Sequence, residues 1–385
     1  MSTDVDVIIL GGGCAGLGLA SNLSRYGSHA PRTVVLEQRN EYLNDRTWCF
    51  WSDDAAPYAR LAGHQWRHLR VIGAGRCIDF DCGNTPYRML AADAYYATTL
   101  QAIRTNPQLS LHLGHSVLSE PEYIGGVWRI ETSQGSISAG SLVDTRPKPA
   151  SEQSPALLWQ SFFGHEIETS DPVFDSFIAD LMDFSEISDH RIAFIYVLPL
   201  TATRALVEYT VFAESPLPAP ALQKGLDAAL ENRTRGSAYR TVRSEYGCIP
   251  MGGNGAAPAA GRANPSRVHA GLSAGAARPA TGYAFQRLQR WGAQCAQALV
   301  TTGVPVPQTP DRLISRAMDW LFLHVLRTQP ALAPALFSAL FAGVDSHRLI
   351  RFLSDGGSLR DHAAVIAALP AGPFLKQLFT RKPSA

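Results

Sequence analysis

The sequence predicts an α/β chain: a doubly wound, Rossmann-like domain, an interleaved domain of antiparallel strands, and a helical C-terminal region. Three observations predict it. Residues 5–37 read as strand, glycine turn, helix, strand and terminal acid; β-rich runs separated by polar turns fill the middle of the chain; and apolar residues recur at helical spacing toward the end. The division implied is 1–85, 142–150 and 265–300 for the first domain, 86–141 and 151–264 for the second, and 301–385 for the helices.

The first element is Val7-Ile-Ile-Leu10, a short apolar run of the kind a strand covered on both faces needs, followed at once by Gly11-Gly-Gly-Cys-Ala-Gly16. Gly11 suits the tight turn, Gly13 admits the close approach of a pyrophosphate, and Gly16 lets the following helix pack against the sheet. The N-terminus of that helix, which carries Leu17, Leu19, Ala20 and Leu23, faces the phosphate charge. After Thr33-Val-Val-Leu36 comes Glu37, twenty-one residues beyond Gly16, placed to accept hydrogen bonds from a ribose hydroxyl rather than to welcome a 2′-phosphate. The ligand expected is FAD or NAD, and the position of the unit at residue 5 favours FAD.

Composition narrows the rest. A length of 385 residues suits two interleaved domains, and a formal net charge of +1 provides no field for nucleic acid. With 17% charged and 46% hydrophobic residues, the chain is low in charge for a freely soluble enzyme, so an apolar ligand or surface is expected. The cysteines at 14, 49, 77, 82, 248 and 295 show neither CxxC pairs nor a zinc spacing, and no metal is expected. No signal-like segment precedes the first strand and no run of about 18 apolar residues occurs, so the expected location is cytoplasmic and at most peripheral to a membrane.

Asn44 to Trp51 forms a loop entering a buried strand, in which Arg46 either faces the flavin or its phosphates or lies on the surface. Leu90 to Ile103 has helical spacing. Leu109–His112, Trp128–Glu131 and Ser136–Ser138 alternate as an antiparallel meander would, and Gly125–Pro155 marks a crossing to the second domain. Leu142-Val-Asp144 returns the chain to the first sheet with Asp144 at the strand end.

Trp159–Glu168 reads as a strand lining a large pocket, and Phe194–Leu200 with Ala205–Phe212 as a hairpin turning at Thr201–Arg204. Alternation puts Leu206, Glu208 and Thr210 on one face, so Glu208 either faces solvent on an edge or lines the pocket with a raised pKa as a potential proton donor. Val268 to Tyr283 is a strand, a small-residue loop and a helix start. Backbone amides around Gly275, Thr281 and Gly282 are expected near the flavin. Met318–Val325 and Leu332–Phe341 are apolar stripes, read as core helices or as a mouth resting on a membrane.

Taken together these residues resemble the bacterial lycopene β-cyclases over nearly the whole chain. The resemblance rests on Gly11–Gly16, Arg46-Thr-Trp48, Asp144-Thr-Arg146, Gln160–Glu166 with its FxGxE pattern, Leu181-Met-Asp-Phe184, Tyr196-Val-Leu-Pro199, Glu208-Tyr-Thr210, Gly247–Met251 and Gly275–Tyr283. Two departures are Arg46, where some members have histidine, and the Gly-Gly-Gly start in place of Gly-Ala-Gly.

The resemblance implies a reaction without net redox change. A terminal double bond of lycopene is protonated, a ring closes on the cation, and loss of a ring proton leaves a β-ionone ring. It further implies reduced FAD, with NADPH as reductant. Glu208 is the implied acid or base, and Glu166 and Asp183 are further candidates. The rival readings are a FAD/NADPH-dependent hydroxylase or desaturase acting on a hydrophobic isoprenoid, and a non-catalytic flavin or lipid binder.

Overall fold

The computed structural model describes residues 3–148, 156–185, 192–252 and 264–379. The chain opens with β1 (Val5–Leu10), α1 (Cys14–Ser24) and β2 (Thr33–Leu36). The last four residues of β1 and all of β2 are buried, and the two strands run parallel. Then come β3 (Thr47–Trp51), β4 (His64–Trp66), β5 (His68–Gly73), β6 (Arg76–Asp81), β7 (Tyr87–Ala91), α2 (Ala92–Arg104) and β8 (Leu109–His112). The hairpin β9 (Glu122–Ile124) and β10 (Val127–Thr132) leads into the long β11 (Gly135–Asp144).

The middle of the chain supplies β12 (Leu158–Thr169), β13 (Ile178–Asp183), β14 (Ile192–Pro199), β15 (Arg204–Ala213), α3 (Ala219–Thr234) and β16 (Tyr239–Met251). It ends with β17 (Arg267–His269) and six helices: α4 (Phe285–Thr302), α5 (Leu313–Thr328), α6 (Ala333–Gly343), α7 (Ser346–Leu353), α8 (Leu359–Ala368) and α9 (Ala371–Phe379).

The strands sort into three sheets. The first has the order β8-β2-β1-β11-β10-β9, with β17 pairing the C-terminal half of β11 in parallel while β10 pairs its N-terminal half antiparallel. The second runs β16-β12-β15-β14-β13-β5-β6, and the third is the small sheet β3-β7-β4.

Hydrogen bonding departs from the sequence expectation in two places. Leu109–His112 is not part of an antiparallel meander: β8 runs parallel to β2. It follows α2, the helical crossover a parallel strand needs, and four alternating residues are too few to tell a parallel edge strand from a meander strand. Ser136–Ser138 is the start of β11, so Gly125–Asp144 is a hairpin of the first sheet and not yet a crossing. As a result the strands within 86–141 that follow β7 join the first sheet, while β5 and β6, from 1–85, join the second.

Packing fixes which face of each strand is which. Leu17, Leu19 and Leu23 of α1 are buried with Leu288, Trp291, Cys295 and Leu299 of α4 over the first sheet. Leu226 and Leu230 of α3 are buried against Ile195, Val197 and Val207 on one face of the second sheet. Its other face shares a core with Leu323, Leu336 and Phe341 from the C-terminal helices. Each such side chain contributes roughly 1.5–3 kcal/mol on burial, and a slip of one residue in β15 would turn its whole apolar set over. That register sends Val207 and Tyr209 toward α3 and leaves Leu206, Glu208 and Thr210 on the opposite face. Because β15 lies between β12 and β14, Glu208 is not on an edge.

Candidate active site

Between the second sheet, the loop before α4 and the C-terminal helices lies a cavity of about 1360 Å³. Small-molecule sites usually occupy roughly 300–1,000 Å³, so this one admits a larger ligand. Its wall includes Trp51, Tyr87, Phe194, Tyr196, Phe212 and Tyr283. Three of these hydroxyls form a chain: Tyr196 Oη donates to Tyr87 Oη at 3.0 Å, and the Tyr87 and Tyr283 oxygens are 3.2 Å apart. Burial first, then the neighbouring phenols at Tyr87 and the Cys49 thiol and Tyr283 at Tyr196, pushes both groups well above the usual phenol range, so these hydroxyls are uncharged.

The glycine turn joins β1 to α1. Gly11 has φ +93°, and a Cβ at Gly16 would stand 2.0 Å from the Gly11 carbonyl oxygen, so the turn closes only with glycine at 16. A Cβ at Gly13 would meet nothing within 4 Å, and no side chain caps α1 there. Open backbone at an uncapped helix start is what a pyrophosphate requires, and the turn fits one. Glu37, just past β2, is buried; its Oε2 accepts from the Gly12 amide at 2.6 Å and its Oε1 from the Arg39 amide at 2.9 Å. Burial opposes ionisation, yet Arg39 and these amides hold the carboxyl below its ordinary value. Arg39, which the spacing rule did not single out, also donates to the Gly12 carbonyl and so braces the turn from outside.

Asp144 ends β11 opposite Leu10 of β1, beside the turn. Its oxygens accept from Arg146 at 2.9 and 2.8 Å; against the cost of burial, that guanidinium keeps the carboxyl low. Thr145 Oγ1 donates to the carbonyls of Leu10 and Gly11, tying this strand end to the turn. Arg46 lines the cavity and pairs with Asp45 at 2.9 Å. Thr281 and Gly282 also line it, whereas Gly275 caps a short turn beside it. The amides of Gly275, Thr281 and Gly282 each donate to a carbonyl of their own loop, so this segment presents its side chains and shape to the cavity rather than those N–H groups.

The three candidate carboxylates are not brought together. Glu208 is buried in the cavity wall. Glu166 is buried but outside that wall, held by Arg204 at 2.5 Å and Arg243 at 2.6 Å. Asp183 is buried against Arg233, with Ser185 donating to its Oδ1. What stands beside Glu208 is Glu245 of β16, a residue the sequence reading passed over because a glutamate among Arg243, Ser244 and Tyr246 looks like an ordinary polar edge. Thr47 Oγ1 donates to Glu245 at 2.7 Å, and Arg243 binds the same carboxylate. Burial and then Glu245 push Glu208 well above the ordinary carboxyl range, with Arg243 pulling weakly the other way. Glu208 thus presents to an aromatic cavity a carboxyl whose charged form is disfavoured.

Among the described residues no cluster of His, Cys, Asp or Glu fits a metal ion, and no helix is long and apolar enough to cross a membrane.

A glycine-turn βαβ unit joined to a second sheet that carries a large cavity is a fold this chain shares with solved flavoproteins. A geranylgeranyl bacteriochlorophyll reductase-like protein from Thermoplasma acidophilum superposes with a TM-score of 0.63 at 13% identity, covering 97% of this chain and 98% of that one. The flavin-dependent monooxygenase PieE, solved in complex with FAD and substrate, gives 0.59 at 14% identity over 95% of this chain and 72% of its own. Sequence narrows the class: the profile of the family described as lycopene cyclase protein matches residues 6–379, and the chain belongs to that family. It is 25% identical to a lycopene beta-cyclase of Pseudescherichia vulneris over 96% of this chain and 95% of the relative.

Proposed function

We propose that this chain is an isomerase, of the intramolecular lyase type, that cyclises the acyclic ends of lycopene to β-ionone rings by a proton-initiated, non-redox route with reduced FAD as its cofactor. The observation that carries the reading is the buried Glu208 carboxyl, with Glu245 beside it, in the wall of a large aromatic cavity, in a chain of the lycopene cyclase family.

Gly11, Gly13 and Gly16 would take the pyrophosphate of FAD and Glu37 its ribose, with Arg46, Asp144, Gly275, Thr281 and Gly282 around the remainder. FAD held there and reduced by NADPH would supply negative charge that favours developing positive charge. Glu208 donates its Oε proton to the terminal double bond. Trp51, Tyr87, Tyr196 and Tyr283 then surround the cation with ring faces that attract positive charge and with a wall that keeps water from trapping it. Glu166 and Asp183, each engaged by arginine, serve to hold the strands that present Glu208.

Lycopene would enter from a membrane. Leu313, Ile366 and Leu375, on α5, α8 and α9, line the cavity and are 80%, 57% and 50% exposed, with Arg312 and Lys376 beside them in sequence. An apolar rim with adjacent cations suits peripheral contact with the cytoplasmic face of an anionic bilayer.

Expression in a lycopene-accumulating bacterium tests the reading. The expected pigment is cyclic and has the mass of lycopene. A product heavier by oxygen or lighter by hydrogen would assign a hydroxylase or desaturase instead, and unchanged lycopene would leave only a binder.

A further inference from the structure

Strand β12 lies between β15 and β16, and Gly164 on it pairs with Glu208 on one side and Glu245 on the other. Strands in a sheet are ~4.8 Å apart, so residues on the two outer strands are separated by about twice that and ordinarily do not touch. Here the residue between them has no side chain. A Cβ at Gly164 would stand 2.5 Å from Glu208 Cγ, because the Glu208 side chain lies across the glycine, on the side of the sheet where Glu245 also lines the cavity. Both glutamates line the cavity and both are buried.

The far side of Glu245 is fixed. Thr47 Oγ1 donates to its Oε2 at 2.7 Å, Arg243 binds the same oxygen, and Arg243 is itself held by Glu166 at 2.6 Å. Two carboxyl groups in contact cannot both ionise cheaply, so such a pair keeps one proton between them. Since Thr47 and Arg243 donate to Glu245, the proton resides on Glu208.

We infer that Glu208 and Glu245 share one proton across Gly164, and that Glu245 is a positioning residue that keeps Glu208 protonated and aimed into the cavity. The inference rests on the reading of Glu208 as the acid of cyclisation. In that reaction the Glu208 O–H bond breaks as a C–H bond forms on the terminal alkene, and a C–C bond closes the ring. A ring C–H bond then breaks and its proton returns to the pair. The pair starts and ends with one proton and no electrons are transferred. Between the two proton transfers both carboxylates are charged beside the cation. The other groups around Glu208 are Arg243 from β16 with Glu166 behind it on β12, Cys49 from β3, whose thiol burial pushes up to about 12, and Tyr196, its register partner on β14. All but the Arg243–Glu166 ion pair are neutral.

The test is an infrared pH titration of the protonated-carboxyl stretch in the full-length protein, without lycopene. The difference between wild type and Glu208→Gln separates the Glu208 band from that of Asp319, which burial also raises. We expect the band to persist above the ordinary carboxyl range. In Glu245→Gln it should titrate lower by about one pH unit or more, as removal of a like charge requires, and the alkaline limb of the cyclisation profile should move with it. Gly164→Ala, which keeps both carboxyls but inserts a methyl group between them, should shift the band in the same direction and serves if Glu245→Gln does not fold. A band and a pH profile unmoved by both changes in a protein that still cyclises lycopene overturn the shared proton and leave the cyclase reading standing. A band that shifts in a protein that makes no cyclic carotenoid supports the shared proton and overturns the cyclase reading.

Discussion

Glu37 and Glu208 are almost equally buried, at 5% and 7% exposure, and their surroundings shift them in opposite directions. Glu37 follows β2 beside the glycine turn of the first sheet, where two backbone amides and Arg39 point at it and hold its carboxyl down. Glu208 sits in the second sheet, where another carboxyl, Glu245, disfavours its charge and the cation beside them is spent on that carboxyl. Burial is common to both. What differs is whether the neighbours favour the charged or the neutral form, and that difference divides the proposed cofactor-anchoring region from the proposed acid-bearing one.

The largest expected effect lies at the nucleotide end. Gly13→Val fills the open approach to the turn, so the purified protein should carry no FAD. Flavin absorbance per chain checks this, and a full complement of flavin in a folded Gly13→Val protein would remove the turn from the cofactor site. Next is Glu208→Gln, which keeps shape and hydrogen bonding but removes the acid. Cyclisation should fall by ~10²-fold or more, with FAD content and melting temperature retained. Near-normal activity would transfer the acid role elsewhere, and loss of FAD would make the residue structural.

A smaller effect separates the two glutamates by pH. Glu208 is raised, so the folded protein holds a proton that the unfolded chain releases once pH passes the usual glutamate value of 4.5; its contribution to stability is present below that value and declines as pH rises through the folded pKa. Glu37 is lowered, so its contribution is present above 4.5 and is lost as pH falls through its folded value. Denaturant titrations across pH should therefore show Glu208→Gln flattening the alkaline decline and Glu37→Gln flattening the acid one. The reverse pattern would contradict the comparison. The smallest effect is at the rim: Leu313→Ser with Leu375→Ser should reduce co-sedimentation with anionic vesicles while leaving the fold intact, because both side chains are exposed.

How much of this was legible in the sequence follows from how local each feature is. The βαβ unit is built from neighbours in the chain, so Gly11 to Glu37 could be read from spacing alone, and the face of β15 that carries Glu208 followed from alternation. Leu109–His112 was misread because its partner, β2, lies more than seventy residues away. Glu245 stayed hidden because its meaning depends on a residue two strands across, with a glycine between them. One trace did exist in the sequence: the glycine of FxGxE, within a long strand otherwise rich in β formers, marks a place where something must approach the backbone closely.

The central claim, that a protein carboxyl starts ring closure with an exchangeable proton, is tested most directly by running the reaction in D₂O and weighing the product. Each ring formed should carry one deuterium from the solvent-exchanged acid, so the product should gain one mass unit per ring over the same reaction in H₂O, and Glu208→Gln should form almost none of it. A cyclic product of unchanged mass in D₂O, or full labelling by Glu208→Gln at the wild-type rate, would contradict the account.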